Sequence, residues 1–213
     1  MALSYVCEFN LKPTGSSAEK YLTSISRQWP ALYAELKGVR GTLLLANAFA
    51  LAGPYSYLWR VDIDSYKTLQ VIDDALKSSE AEWRKARAEW FENRTEVRAR
   101  LLNIDDESNY VERSDKRDGL VHFVLAYASN GDPRKTRKVF RTDLLKSYRG
   151  NKNVRAAQHL SAVLQPSKDR AGEVWARLAN LDSVEAVAAA APGGVTSLYG
   201  ELREVNGALI AGA

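Results

Sequence analysis

The sequence has little of what reactive centres are usually assembled from. Among its 213 residues there is one cysteine, Cys7, and there are two histidines, His122 and His159. A single cysteine excludes an intramolecular disulfide, which suits a reducing, cytoplasmic setting. Two histidines and one cysteine with no tight spacing make a poor zinc site, and no metal is expected. No window offers the eighteen or so consecutive apolar residues of a bilayer-spanning helix, so no membrane partner is expected. The start, MALSYVCEFNLKP, lacks a basic segment followed by a long apolar one and does not read as a secretory signal. There is no G-x-G-x-x-G turn and no P-loop, and no Ser-His-Asp set follows from spacing. Charge of one sign is also missing, because 30 basic residues are interspersed with 26 acidic ones. Stretches such as EAEWRKARAEWFENRTEVRAR read as a solvated helix face, and no nucleic-acid partner is expected.

What the sequence does have is a core's worth of apolar residues, 46%, and a pattern written twice. GVRGTLLLANAF at 38–49 and NVRAAQHLSAVL at 153–164 both open on Val-Arg and continue small and apolar. In the first half LSYVCEFNL is a strand candidate, and PTGSS is a turn in which Ser16 or Ser17 caps a helix. That helix carries Tyr21, Leu22, Ile25, Trp29, Leu32 and Leu36 near helical spacing, with a kink expected at Pro30 and an end at Gly38. VRGTLLLANAFAL and YSYLWRVDI are the second and third strands. A helix capped by Asp64 or Ser65 then runs from about Tyr66 through EWRKARAEWF, and TEVRARLLNI is the fourth strand.

The second half repeats this order through GLVHFVLAYA, RKTRKVFRTDLLKSY, NVRAAQHLSAVLQ, EVWARLAN, LDSVEAVAAAAP and GGVTSLYGELREV. Val154 lies 115 residues after Val39, Trp175 lies 116 after Trp59, and Asp182 lies 118 after Asp64. The expected organisation is a first repeat over 1–104, a charged linker over 105–119, and a second repeat over 120–213.

Each repeat reads as β-α-β-β-α-β, an α+β ferredoxin-like unit with helices on one face of its sheet. With KGVRGTLLLAN, YSYLWRVDIDSYKTLQVIDDAL and VRAAQHL, the chain resembles the dimeric α/β-barrel superfamily, here duplicated in tandem. It is similar to antibiotic-biosynthesis-type monooxygenases and polyketide cyclases. That superfamily also holds haem-degrading oxygenases and chlorite-dismutase-like haem proteins, so the fold does not fix the function. The resemblance implies two repeats packed sheet to sheet as a fused barrel, with a ligand site between the sheets.

Strand alternation sorts the candidate residues. Ser4, Val6 and Glu8 oppose Tyr5, Cys7 and Phe9, and His122, Val124 and Ala126 oppose Phe123, Leu125 and Tyr127. The bulkier sets should meet helices, which turns Glu8 and His122 into the cavity. Matching Leu44 to His159 places His159 inside as well. Arg60 and Asp62 alternate with Trp59 and Val61, and either pair could line the cavity. His122 and His159 are the candidate general bases, each removing a proton from a phenol or enol or else bonding a neighbour. Glu8, Arg60 and Asp62 either orient a substrate or form an internal ion pair, Glu8 with Arg60. Tyr55, Tyr57 and Trp59, with Trp175 at the matching site, form either a flat wall for a polycyclic ligand or plain core. Trp83 and Trp90 are packing residues, and Cys7 is an inert buried thiol.

The expected function is a cofactor-independent tailoring enzyme that oxygenates or cyclises an aromatic or polyketide-like molecule. In the oxygenase case the substrate carbanion itself reduces dioxygen, and the protein positions the substrate and excludes water. The alternatives are a non-catalytic binder of a hydrophobic small molecule and a haem protein with His122 or His159 as axial ligand. Monomer and homodimer are both open.

Overall fold

The computed structural model describes residues 1–12, 16–47, 55–111, 121–127, 138, 140–163, 172–179 and 195–204. The chain forms two compact units, one made chiefly of Met1–Ala46 and Pro54–Arg100, the other chiefly of Leu101–Arg203.

The first unit holds β1 (Leu3–Leu11), α1 (Ser16–Thr23), α2 (Trp29–Ala34), β2 (Val39–Ala46), β3 (Tyr57–Ile63), α3 (Tyr66–Lys77), α4 (Ala81–Asn93) and the start of β4 (Arg94–Val111). The central strand β3 pairs antiparallel with β1 and β2. β4 enters beside β1, where Lys12 N donates to Asn93 O at 3.0 Å. Between α1 and α2 lies a π-helical turn, Ser24–Gln28, and Pro30 sits at the start of α2. Proline has no N–H to return to residue 26 and its ring crowds that carbonyl, so the ladder widens there. Where a kink is expected at Pro30, the structure has a π-helical turn just before it. Gly38 has φ +90, and a Cβ there would collide with the Thr68 hydroxyl, so only glycine fits. The single helix expected after Asp64 is two helices, because Ser78 takes an extended conformation (ψ 159) between α3 and α4. Ser65 holds the N-cap position of α3 without a side-chain cap bond.

The helical face of this sheet is aromatic. Trp59 stands edge-on to Trp29 of α2 with ring centroids 6.0 Å apart, and Phe9 meets Tyr21 of α1 at 6.3 Å. Trp29 also stacks on Trp90 of α4 at 4.9 Å, and Trp83 packs on Tyr33. Each large side chain buried here contributes about 1.5–3 kcal/mol. Cys7 is buried on the same face, with Arg94 Nη1 at 3.4 Å from its sulfur and the guanidinium over the Trp90 ring. Burial pushes the Cys7 thiol up and the Arg94 guanidinium down from their ordinary values.

The second unit holds the rest of β4, then β5 (Val121–Tyr127), a π-helical turn Phe140–Leu144, α5 (Leu145–Gly150), β6 (Val154–Ala162), β7 (Gly172–Leu178) and β8 (Val195–Glu204). Here β7 is central, antiparallel to β5 and β6, while β5 also pairs with β8 and β6 with β4. The Val-Arg pairs take the same role in both units. The pairing skips Arg40 between Val39 and Gly41, and Arg155 between Val154 and Ala156, so each arginine marks a bulge at the start of a second strand. β4 continues to Val111, so residues 105–111 are strand where a linker was expected. They add onto β6, and their acidic run forms a bulge in that pairing. Residues 112–119 and the helix expected at 181–192 lie outside the described residues.

Candidate functional site

Antiparallel register assigns the two faces of each sheet. In the first unit Cys7, Trp59 and Leu44 are cross-strand neighbours on the helical face. Alternation therefore puts Ser4, Val6 and Glu8, with Leu58, Arg60 and Asp62, on the far face, away from α1 and α2. The alternative left open for β3 is thereby resolved. Tyr57 stacks on Phe9 at 5.7 Å, so Tyr57 and Trp59 are helical core and do not share a face with Arg60.

The far-face charges of this unit close on one another. Arg60 Nε and Nη2 donate to Asp62 Oδ1 and Oδ2 at 2.8 and 2.7 Å, a bidentate fork. Arg100 Nη1 donates to Glu8 Oε1 at 2.5 Å. Glu8 thus pairs with Arg100 and Arg60 with Asp62, because β4 brings Arg100 alongside β1. Glu8 and Arg60 are buried.

In the second unit the register carries a correction. Val39 opposes Ile63 and Val154 opposes Leu178, so β7 follows β3 at a spacing of 115, not 116. Trp175 therefore takes the place of Arg60, and Arg177 that of Asp62; Trp175 does not match Trp59. Glu173, Trp175 and Arg177 share one face, and Val174 and Ala176 take the other.

His159 lies on the Val174 face. Its Nδ1 is 3.8 Å from Asp105 Oδ2, and Asp105 Oδ1 accepts from Arg141 Nη2 at 2.7 Å. Arg141 belongs to the π-helical turn before α5 and also pairs with Glu107 at 2.6 Å. The hydrogen bond to Asp105 pushes Arg141 above its ordinary value. The Val174 face is thus the one that meets the helical layer. His159 is 1% exposed within it, and the expectation that it lines a cavity does not hold. Leu44, its counterpart, also lies on a helical face. Residues 105–108 of β4 stand opposite the single residue His159, and this bulge brings the Asp105 carboxylate near the buried imidazole.

The far face of the second unit is the candidate site. Glu173, 0% exposed, accepts from Trp175 Nε1 at 2.8 Å, which fixes the indole. Arg177 makes no hydrogen bond or ion pair among the described residues, and its Nε is buried. It stands directly opposite His122 of β5. Such cross-strand neighbours have Cβ atoms about 4.5–5.5 Å apart. The His122 side chain lies outside the described ones, so its place rests on register alone. The two histidines fall on opposite faces and are not brought together. Of the two candidate haem ligands, His159 is shut in against Asp105, and only the His122 position belongs to the far face. Arg177 was missed in sequence, although Glu-x-Trp-x-Arg along an otherwise apolar strand places three polar-tipped side chains on one face.

No family model and no curated protein matches the chain. In fold it is similar to a provisionally assigned monooxygenase from Fusobacterium nucleatum, at 8% identity over 100% of this chain and 96% of that one, with a TM-score of 0.67. It is similar to an anthrone oxidase-like protein at 10% identity, over 96% and 90% of the two chains, with a TM-score of 0.53. It is also similar to chlorite dismutase from Candidatus Nitrospira defluvii, at 7% identity over 95% and 90%, with a TM-score of 0.59. The likeness is one of fold, an α+β fold. Among the described residues no helix is long and apolar enough to cross a membrane.

Proposed function

We propose that the chain is an oxidative enzyme acting on an aromatic, polyketide-like small molecule at the far face of the second unit. The observation that carries this reading is the fixed Trp175–Glu173 pair beside an arginine with no partner among the described residues, opposite the register position of His122. Fold neighbours named as a monooxygenase and an anthrone oxidase-like protein favour oxygenation over cyclisation. The matching bulges at Arg40 and Arg155 support one ferredoxin-like module present twice.

In this reading His122 takes a proton from a methylene activated by a phenolic ring. The carbanion's electrons pass to dioxygen and a C–O bond forms. The resulting hydroperoxide loses water to leave a carbonyl. The step balances as one methylene and one dioxygen giving one carbonyl and one water, with dioxygen as oxidant and the base regenerated by the departing water. Trp175 holds the flat ring, and the buried surroundings keep bulk water from the carbanion. His159, with Asp105 and Arg141, ties the helical turn to the sheet instead.

The test is oxygen uptake with anthrone as substrate. One carbonyl should form per dioxygen consumed, and the rate should fall by about 10²–10⁴ in His122→Ala. No uptake, or a rate unchanged by the substitution, would contradict the reading. An intense absorption band at the violet edge in the purified protein would favour the haem alternative.

A further inference from the structure

We infer that Arg177 recognises an anionic oxygen, so that the far face of the second unit takes aromatic acids or phenolates in preference to neutral ring systems. This deepens the reading above and rests on its choice of binding face. The argument comes from equivalent positions in the two units. Where the first unit has Arg60 and Asp62, bonded to each other twice, the second has Trp175 and Arg177. The exchange removes the carboxylate and leaves the guanidinium. Glu173 does not replace it. Glu173 lies four residues back along the strand, about 13 Å away at strand rise, and accepts from the Trp175 indole that stands between. A neutral polycycle seated here would leave a desolvated guanidinium unpaired, which is costly. A carboxylate or phenolate removes that cost, and the guanidinium fork matches a carboxylate with two parallel bonds. Because the indole N–H is engaged by Glu173, the ring is held in one orientation on the same face as the cation.

The test compares naphthalene-2-carboxylate with its methyl ester by isothermal titration, against the wild-type chain, Arg177→Gln and Arg177→Lys. The acid should bind about tenfold or more tightly than the ester, the scale of a charge-assisted hydrogen bond. Arg177→Gln should erase that preference, weakening acid binding and raising ester affinity, and Arg177→Lys should keep part of it. The ester control reports directly whether a variant is still folded and competent to bind. Equal binding of acid and ester, a preference that survives in Arg177→Gln, or no binding of either compound would overturn the inference. The binding measurement is independent of turnover. A protein that prefers the acid but consumes no oxygen would overturn the catalytic reading alone.

Discussion

The far faces of the two units are built on the same register and differ in where their charges end. In the first unit the described far-face charges of β1 and β3 are closed, Arg60 on Asp62 and Glu8 on Arg100. In the second, the matching pair has become Trp175 and Arg177, and the cation is left open among the described residues. A closed pair braces a sheet, because removing one partner strands the other. An open guanidinium adds nothing to the sheet and is available to a ligand. Two side chains at equivalent places thus separate a structural face from a candidate binding face on one scaffold.

The comparison can be broken most severely by making the second face like the first. Trp175→Arg combined with Arg177→Asp should recreate the closed pair, abolish acid binding and lower oxygenation by about a hundredfold or more, the scale of lost positioning. A doubly substituted protein that keeps its acid preference would show that the open cation is not what distinguishes the faces. Next in size is a change confined to the first unit's helical side. Trp29→Ala should cost about 3–5 kcal/mol in urea unfolding, because Trp29 packs on Trp59, Tyr33, Trp90 and Tyr21 at once. It should leave the acid-to-ester ratio untouched.

Glu8→Ala should cost about 3 kcal/mol by stranding Arg100, and replacing both partners by apolar residues should recover part of that loss. Arg177→Gln, by contrast, should change stability by no more than about 0.5 kcal/mol, since no described partner is lost. Equal costs for Glu8→Ala and Arg177→Gln would remove the distinction between closed and open charges.

Alkaline pH sharpens the contrast between the two helical layers. Burial raises Cys7 above its ordinary 9.0 and raises Tyr5, Tyr21 and Tyr33 above their ordinary 10.0, all in the first unit. In the second unit Tyr148 shifts the same way. These acids stay protonated when folded and ionise more readily when unfolded. Their contribution is therefore complete below the ordinary values and is lost as pH rises above them toward the raised folded values. The melting temperature should fall above about pH 9, and Tyr5→Phe with Tyr33→Phe should flatten that fall.

Much of the scaffold was legible because local chemistry dictates it. β1 occupies the stretch LSYVCEFNL, and Pro30 follows the π-helical turn; the first helical segment ends at Ala34, before the Gly38 expected to stop it. Val-Arg marked the same position in both halves, and that position is a bulge. What failed was decided by single-residue register and by distant partners. Matching Trp59 to Trp175 by residue type misplaced β7 by one residue, and one residue exchanges the two faces of a strand. His159 looked like a cavity residue because a histidine in a helical core is costly without a partner, yet it is buried there with Asp105, 54 residues earlier in the chain, at 3.8 Å. Glu8 pairs with Arg100 because the neighbour of β1 on that side comes from β4, which strand alternation alone does not specify. The linker expected from 105 is strand as far as Val111, since an acidic run that reads as solvent-exposed coil is accommodated as a bulge.

The most direct test of the central claim is a crystal structure of the protein soaked with naphthalene-2-carboxylate. The ring should lie beside Trp175 with its carboxylate within hydrogen-bond distance of Arg177 and the imidazole of His122 nearby. A ligand seated on the Arg60–Asp62 face, or against His159 beneath Arg141, would contradict the assignment of the site to the open face of the second unit.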